Sequence, residues 1–155
     1  MKLVVQRVKH ASVKVDNEIK GQIGQGFLVL LGIKKGDTKK DLEYCAKKLV
    51  GLRVFKDNED KMNLSIQDID GEFLIISQFT LYGDTKKGNR PSFVMAEDPI
   101  IANNMYEEFL EEVRKMSGKK VEKGVFGADM KVELLNDGPV TIIIESPFSA
   151  ESQGE

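Results

Sequence analysis

Phe73-Leu74-Ile75-Ile76-Ser77-Gln78-Phe79-Thr80-Leu81-Tyr82-Gly83-Asp84 is the stretch on which the reading of this chain turns. Its apolar half reads as a buried strand, and that strand runs directly into an amide, two hydroxyls and a phenol. Alternate side chains on a strand share a face. A continued pleat would therefore set Gln78, Thr80 and Tyr82 on one face and Ser77, Phe79 and Leu81 on the other. Buried polar groups are costly unless they are hydrogen-bonded. Two readings stand: a strand end whose polar groups meet backbone or water, or one wall of a site.

Outward from this strand, the pattern alternates between β and helical periods. Val4, Val5, Val8, Val13 and Val15 mark two β segments with a break near Lys9–Ala11, and Asp16-Asn17 is a turn signal before a strand from Glu18 to Ile23. Gly26 to Ile33 is a continuous apolar run, which suits a strand buried on both faces. Thr38 is the expected N-cap of a helix with Asp41 three residues on. Leu42, Cys45, Ala46 and Leu49 form its apolar face, and it should end near Gly51. Arg53–Phe55 is a short strand candidate. Asp98-Pro99 opens a second helix, with Met105, Tyr106, Phe109, Leu110, Val113 and Met116 as its stripe and Gly118 at its end. Strands at about Lys120–Phe126, Lys131–Leu135 and Val140–Ser146 follow. The order predicts a single α/β domain: a mixed sheet with two helices on one side. Residues 1–146 form that domain, and 147–155 form a polar, flexible tail.

The chain has 155 residues, long enough to bury a core in one domain without staples. Apolar content of 41% and charged content of 31% fit a soluble globular protein. No apolar run is long enough to span a bilayer, and the N-terminus reads as a strand rather than a leader. A cytoplasmic location follows, with no membrane contact. One cysteine excludes an internal disulfide. A net charge of −2 and a pI near 5.6 argue against a protein that grips a long duplex. They leave room for contact with the tip of a nucleic acid. Lys86, Lys87 and Arg90 form a basic cluster just beyond the opening stretch.

His10 is the only histidine and falls at the expected break between the first two strands. Cys45 lies on an apolar helical face, where cysteine acts as a small hydrophobe. Neither a histidine triad nor a zinc site of the usual ligand set can be assembled, and there is no phosphate loop or dinucleotide fingerprint. Metal and cofactor are both expected to be absent. Any hydrolysis must then rely on backbone donors, neutral side chains and groups on the substrate, which suits an activated ester better than an amide. The second distinctive segment is Asn136-Asp137-Gly138-Pro139-Val140-Thr141. Asp-Gly between strands is a hairpin signal, and a proline directly after it suits an edge or a protruding loop. A trans bond is the ordinary state there; a cis bond would fix the direction of two carbonyls.

These two segments together resemble the signature motifs of the D-aminoacyl-tRNA deacylases. Arg7-Val8, Leu31-Gly32-Ile33, Leu52-Arg53-Val54-Phe55, Arg90-Pro91-Ser92-Phe93 and Gly124 to Met130 are similar to further family blocks, so the likeness spans about residues 1–146. The resemblance implies mixed sheets forming a barrel-like core under two helices, in α/β/β layers. It implies a homodimer with an active site at each subunit interface, taking the 3′ end of aminoacyl-tRNA and hydrolysing D-aminoacyl and glycyl esters. Gly138 and Pro139 would form a cis bond inserted into the partner's pocket, where their carbonyls exclude an L side chain. Arg7 would hold that segment.

Ser77, Gln78, Phe79 and Thr80 would form the pocket floor. The Thr80 hydroxyl has been cast as a nucleophile in such sites, yet no base stands near it in this sequence. The backbone N–H groups of Phe79 and Thr80 are the preferred oxyanion donors, with the ribose 2′-hydroxyl helping to activate water. Phe93 and Met130 would line an adenosine pocket, and Lys86, Lys87 and Arg90 would meet phosphates. Two other readings stand beside this one: a non-catalytic binding module for tRNA 3′ ends, and a dimeric structural protein whose Gly-Pro loop locks an interface.

Overall fold

The computed structural model describes residues 1–148. The first strand, β1 (Lys2–Val15), turns at Asp16-Asn17 into β2 (Glu18–Ile23), and β3 (Gly26–Gly32) follows. Asp16 and Asn17 both take left-handed φ values, 51° and 63°, which suits a two-residue hairpin. The expected break near Lys9–Ala11 does not interrupt β1. Its C-terminal half pairs with β2, and its N-terminal half pairs with β3. His10 therefore sits exposed within a strand rather than in a turn.

From β3 the chain crosses over through α1 (Lys39–Gly51) and a small antiparallel pair, β4 (Phe55–Lys56) and β5 (Met62–Leu64), to β6 (Glu72–Ser77). The short strand thus begins two residues later than Arg53. A second crossover runs through a 3-10 turn (Phe79–Tyr82) and α2 (Pro99–Ser117) to β7 (Val121–Lys123). Strands β3, β6 and β7 are parallel neighbours, while β1 and β2 are antiparallel, so the sheet is mixed, in the order β2-β1-β3-β6-β7. The last strand, β8 (Lys131–Glu145), runs antiparallel along the free edge of β1. The sheet curls into a nearly closed barrel under two helices, as the resemblance implied.

Strand alternation divides the core in two. Phe27, Val29 and Leu31 of β3, with Phe73 and Ile75 of β6, face the helices. Leu28, Leu74 and Ile76 face the inside of the curl with Val8, Val13 and Ile23. The capping signals were legible. The Thr38 N–H donates to the Asp41 carboxylate at 2.8 Å, and the Asp98 carboxylate accepts from the N–H groups of Ile100 and Ile101 at 3.1 and 3.3 Å. The stripe of α2 differs at its end. Met116 is exposed, and Ser117 is the buried residue, with its hydroxyl donating to the Val113 carbonyl at 2.6 Å. At 100° per residue, position 117 lies closer to the direction of Val113 than position 116 does.

The two C-terminal strands expected around Asn136–Pro139 are one strand, β8, and the Asp-Gly signal marks a bulge in it rather than a hairpin. No helix among the described residues is long and apolar enough to cross a membrane. Of the expected tail, Phe148 packs edge-on against Tyr44, with ring centroids 5.7 Å apart, and residues 149–155 lie outside the described residues.

Cys45 is fully buried, and desolvation pushes its thiol up to about 12 from 9.0. The proton is thus held in the folded state until well above the pH at which the unfolded thiol ionises. Stability from this group is present below about pH 9 and is lost as pH rises toward 12. At pH 8 a thiol reagent should leave the native protein unmodified and titrate one thiol after denaturation; rapid native labelling would contradict the packing of α1.

Candidate active site

The strand β6 ends at Ser77, and the pleat does not continue. Phe79 to Tyr82 form a 3-10 turn, so the expected two-face division of these side chains does not occur. Gln78 marks the switch: its N–H still donates to the Leu31 carbonyl of β3 at 2.8 Å, and its own carbonyl accepts from the Leu81 N–H at 3.3 Å. The first donors of a helical turn have no partner within it. Among the described residues, the N–H groups of Phe79 and Thr80 have no acceptor at all. Gly32 admits the turn. A Cβ there would lie 3.1 Å from Leu81 Cβ and 3.1 Å from Tyr82 Cε2, so a larger residue would require the turn to shift by a few tenths of an ångström. Tyr82 closes the turn with a buried hydroxyl that has no hydrogen-bond partner among the described residues, and desolvation raises its pKa.

A cleft of about 670 Å³ opens in front of the turn. Ser77, Gln78, Phe79, Phe93 and Met130 all line it. Phe79 and Phe93 meet edge to face with centroids 5.1 Å apart, yet are 56% and 38% exposed. Such aromatic surface left open to solvent suits a ligand or a partner. The Thr80 hydroxyl is exposed, and its only hydrogen-bond partner among the described residues is the Gln78 amide, which donates to it. An amide donor cannot remove a proton, so the hydroxyl is not activated.

Sequence reasoning missed the far wall of this cleft, which includes Ile33, Lys35, Glu97, Asp98, Phe126 and Asp129. Residues 33–35 meet 95–97 through a short antiparallel bridge: the Lys35 N–H donates to the Met95 carbonyl at 2.9 Å, and the Glu97 N–H to that of Ile33 at 3.0 Å. No local pattern marks that long-range pairing. Asp98 was read only as a helix cap.

Arg7, Gly138 and Pro139 do not line the cleft. They form a second constellation on the β1–β8 pair. Gln6 pairs with Thr141 and Val8 with Asn136, so two residue steps of β1 face five of β8. The surplus leaves the ladder as a bulge centred on Gly138 and Pro139, both exposed, with a cis bond between them. Arg7 is 5% exposed; its Nε donates to the Asp137 carbonyl at 2.9 Å and its Nη1 to the Val54 carbonyl at 2.6 Å. Lys9 lies 3.5 Å from the Asp137 carboxylate. Within one chain the structure therefore separates the two motifs.

Lys86, Lys87 and Arg90 are exposed on a loop closed at its base by paired Asp84 and Ser92 backbone hydrogen bonds of 2.8 Å. They too lie outside the cleft. No cluster of three or more histidine, cysteine or carboxylate groups that could hold a metal ion occurs among the described residues.

The architecture recurs in solved structures. One described as a c-Myc DNA unwinding element binding protein superposes with a TM-score of 0.91, at 47% identity over 96% of this chain and 100% of its own. Another, described as a probable eukaryotic D-amino acid tRNA deacylase, shares the fold at a TM-score of 0.80 and 18% identity. The sequence model of the D-Tyr-tRNA(Tyr) deacylase family matches residues 4–145, and the chain belongs to that family. Relatives named D-aminoacyl-tRNA deacylase, from Parabacteroides distasonis and Clostridium beijerinckii, are 56% and 58% identical over 146 residues, covering 94% of this chain and 97% of each relative.

The bulge makes a direct prediction. Gly138 has φ +141°, and a Cβ there would lie 2.8 Å from Val140 Cγ2 and 3.0 Å from Arg7 Nη2. Gly138→Ala should destabilise the protein by roughly 1–3 kcal/mol in urea unfolding. An unchanged midpoint would show that the bulge is not packed as described.

Proposed function

We propose that this chain hydrolyses the ester linking a D-amino acid to the terminal ribose of tRNA, with residues 1–146 as the working unit. The carrying observation is the pair of unpartnered N–H groups at Phe79 and Thr80, on a turn whose first residue, Phe79, lines a cleft large enough for a nucleoside. A tetrahedral oxyanion formed at the ester carbonyl would accept from both. Each such donor is worth about 10²–10³ in rate, a large share of what an already labile ester needs. The ribose 2′-hydroxyl would assist the attacking water, because no side-chain base faces Thr80. Adenosine would stack on Phe93 beside Met130, at ~1–3 kcal/mol per stacked base.

Stereochemistry would come from the second constellation. The Gly138-Pro139 bulge is exposed and does not line its own cleft, so it would enter that of a second copy, giving a homodimer with two shared sites. Exposed apolar residues beside the cleft (Val94, Met95) and on β8 (Leu135, Ile143) support such a partner. There the bulge carbonyls would face the substrate α-carbon. An L side chain would collide with them, while a D side chain or the hydrogen of glycine would pass. Many D-amino acids and glycyl-tRNA are then accepted, since selection is by exclusion. The work would be done where aminoacyl-tRNA is used, in the cytoplasm.

A binding module for tRNA 3′ ends is the second reading, favoured by the DNA-binding name carried by the 47%-identical structure. Matched D- and L-aminoacyl-tRNA distinguish the two: selective loss of the D ester supports the enzyme, and binding without loss supports the module. Thr80→Ala should retain activity within about tenfold of native, since the backbone donors remain; a loss beyond about 10³ would restore the hydroxyl as nucleophile. If Lys86, Lys87 and Arg90 meet three phosphates of the single-stranded end, log affinity should fall against log salt with a slope of about −2. Replacing all three with alanine should flatten that slope. An equally steep slope in the triple variant would remove the loop from the RNA contact.

A further inference from the structure

Asn136 stands at the base of the Gly138-Pro139 bulge, half-buried. Its Oδ1 accepts from the Val140 N–H at 2.8 Å. Its Nδ2 donates to the Val140 carbonyl at 3.4 Å and to the Thr141 hydroxyl at 3.2 Å. The amide orientation follows from the partners, because the backbone N–H can only donate. One side chain thus satisfies both main-chain groups of Val140, where β1 offers no partner strand residue across the surplus. It closes Asp137, Gly138 and Pro139 into a small ring. Val140 packs its side chain on the helix-side core, so the ring is tied to a fixed point. Arg7 grips the same bulge from outside, through the Asp137 carbonyl.

We infer that Asn136 is a positioning residue for stereochemical selection: it sets how far the bulge projects and where its carbonyls point. The inference rests on the reading of the bulge as the filter against L esters. Arg7 alone would leave the Pro139–Val140 side of the bulge free to swing. A displaced carbonyl admits an L side chain without harming the oxyanion donors at Phe79 and Thr80, which belong to the other constellation. The expected defect is therefore in selectivity rather than in turnover of the D ester.

The test compares native protein, Asn136→Ala and Asn136→Asp in single-turnover hydrolysis of one aminoacyl-tRNA prepared in D and L forms. Hydrogen exchange at the Val140 amide is followed in parallel. Asn136→Ala should lower the D-over-L rate ratio about tenfold, chiefly by raising the L rate, and should speed Val140 exchange. Asn136→Asp keeps the acceptor for the Val140 N–H and loses the donor, so its ratio should fall between the two. A merely structural role would lower both rates in proportion and leave the ratio unchanged, which overturns the inference while the filter stands. A native protein without D preference overturns the filter reading and this inference with it. If Asn136→Ala does not fold, Asn136→Asp decides: a ratio within about twofold of native overturns the proposal.

Discussion

Strand β1 is hydrogen-bonded along both edges for nearly its whole length, and that constraint shapes everything else. On one edge lie β2 and β3; on the other lies β8. Backbone donors and acceptors buried in a sheet need partners. Between Gln6 and Val8, however, β8 carries more residues than β1 can pair. The surplus cannot remain in the ladder, so it projects outward with Gly138 and Pro139 at its crest. Arg7, the β1 residue opposite the gap, donates to the Asp137 carbonyl that the missing ladder leaves behind and ties it to the Val54 carbonyl, in the segment between α1 and β4. A mismatch in strand length is thus converted into a rigid protrusion.

The same logic operates at the end of β6. Parallel strands β3 and β6 stop together at the mouth of the cleft, and the carboxyl ends of parallel strands are where ligands settle in α/β sheets. The change from strand to 3-10 turn at Gln78 frees two backbone donors without burying them unpaired. The Thr80 hydroxyl beside them meets only the Gln78 amide among the described residues, a donor that cannot take its proton.

The elements that were legible in the sequence are those whose cause is local. Thr38 with Asp41, Asp98 with Pro99, and the spacing of Leu42, Cys45, Ala46 and Leu49 each act within one or two helical turns. The elements that were misread depend on distant partners. The polar run after Ile76 looks like a continuing strand until the end of β3 is known. The Lys9–Ala11 stretch looks like a break between strands and is instead an irregularity within one: β3 pairs up to Val8, β2 begins at Ala11, and β8 runs past both with a shift of register between them. Asp137-Gly138 looks like a hairpin until β1 is seen to continue past it. The far wall of the cleft depends on residues 33–35 meeting 95–97, which no single-segment pattern encodes.

By itself, then, the sequence determined the helices and the buried strands, because periodicity, caps and residue chemistry act over a few residues, while the family was legible only through the likeness of its two motifs and the blocks between them to known members. Only the tertiary structure decided that Ser77, Gln78, Phe79, Phe93 and Met130 share one cleft while Arg7, Gly138 and Pro139 stand apart on a bulge. That separation is a consequence of strand register between segments about 130 residues apart, and register is set by packing and by the pairing of every buried backbone group.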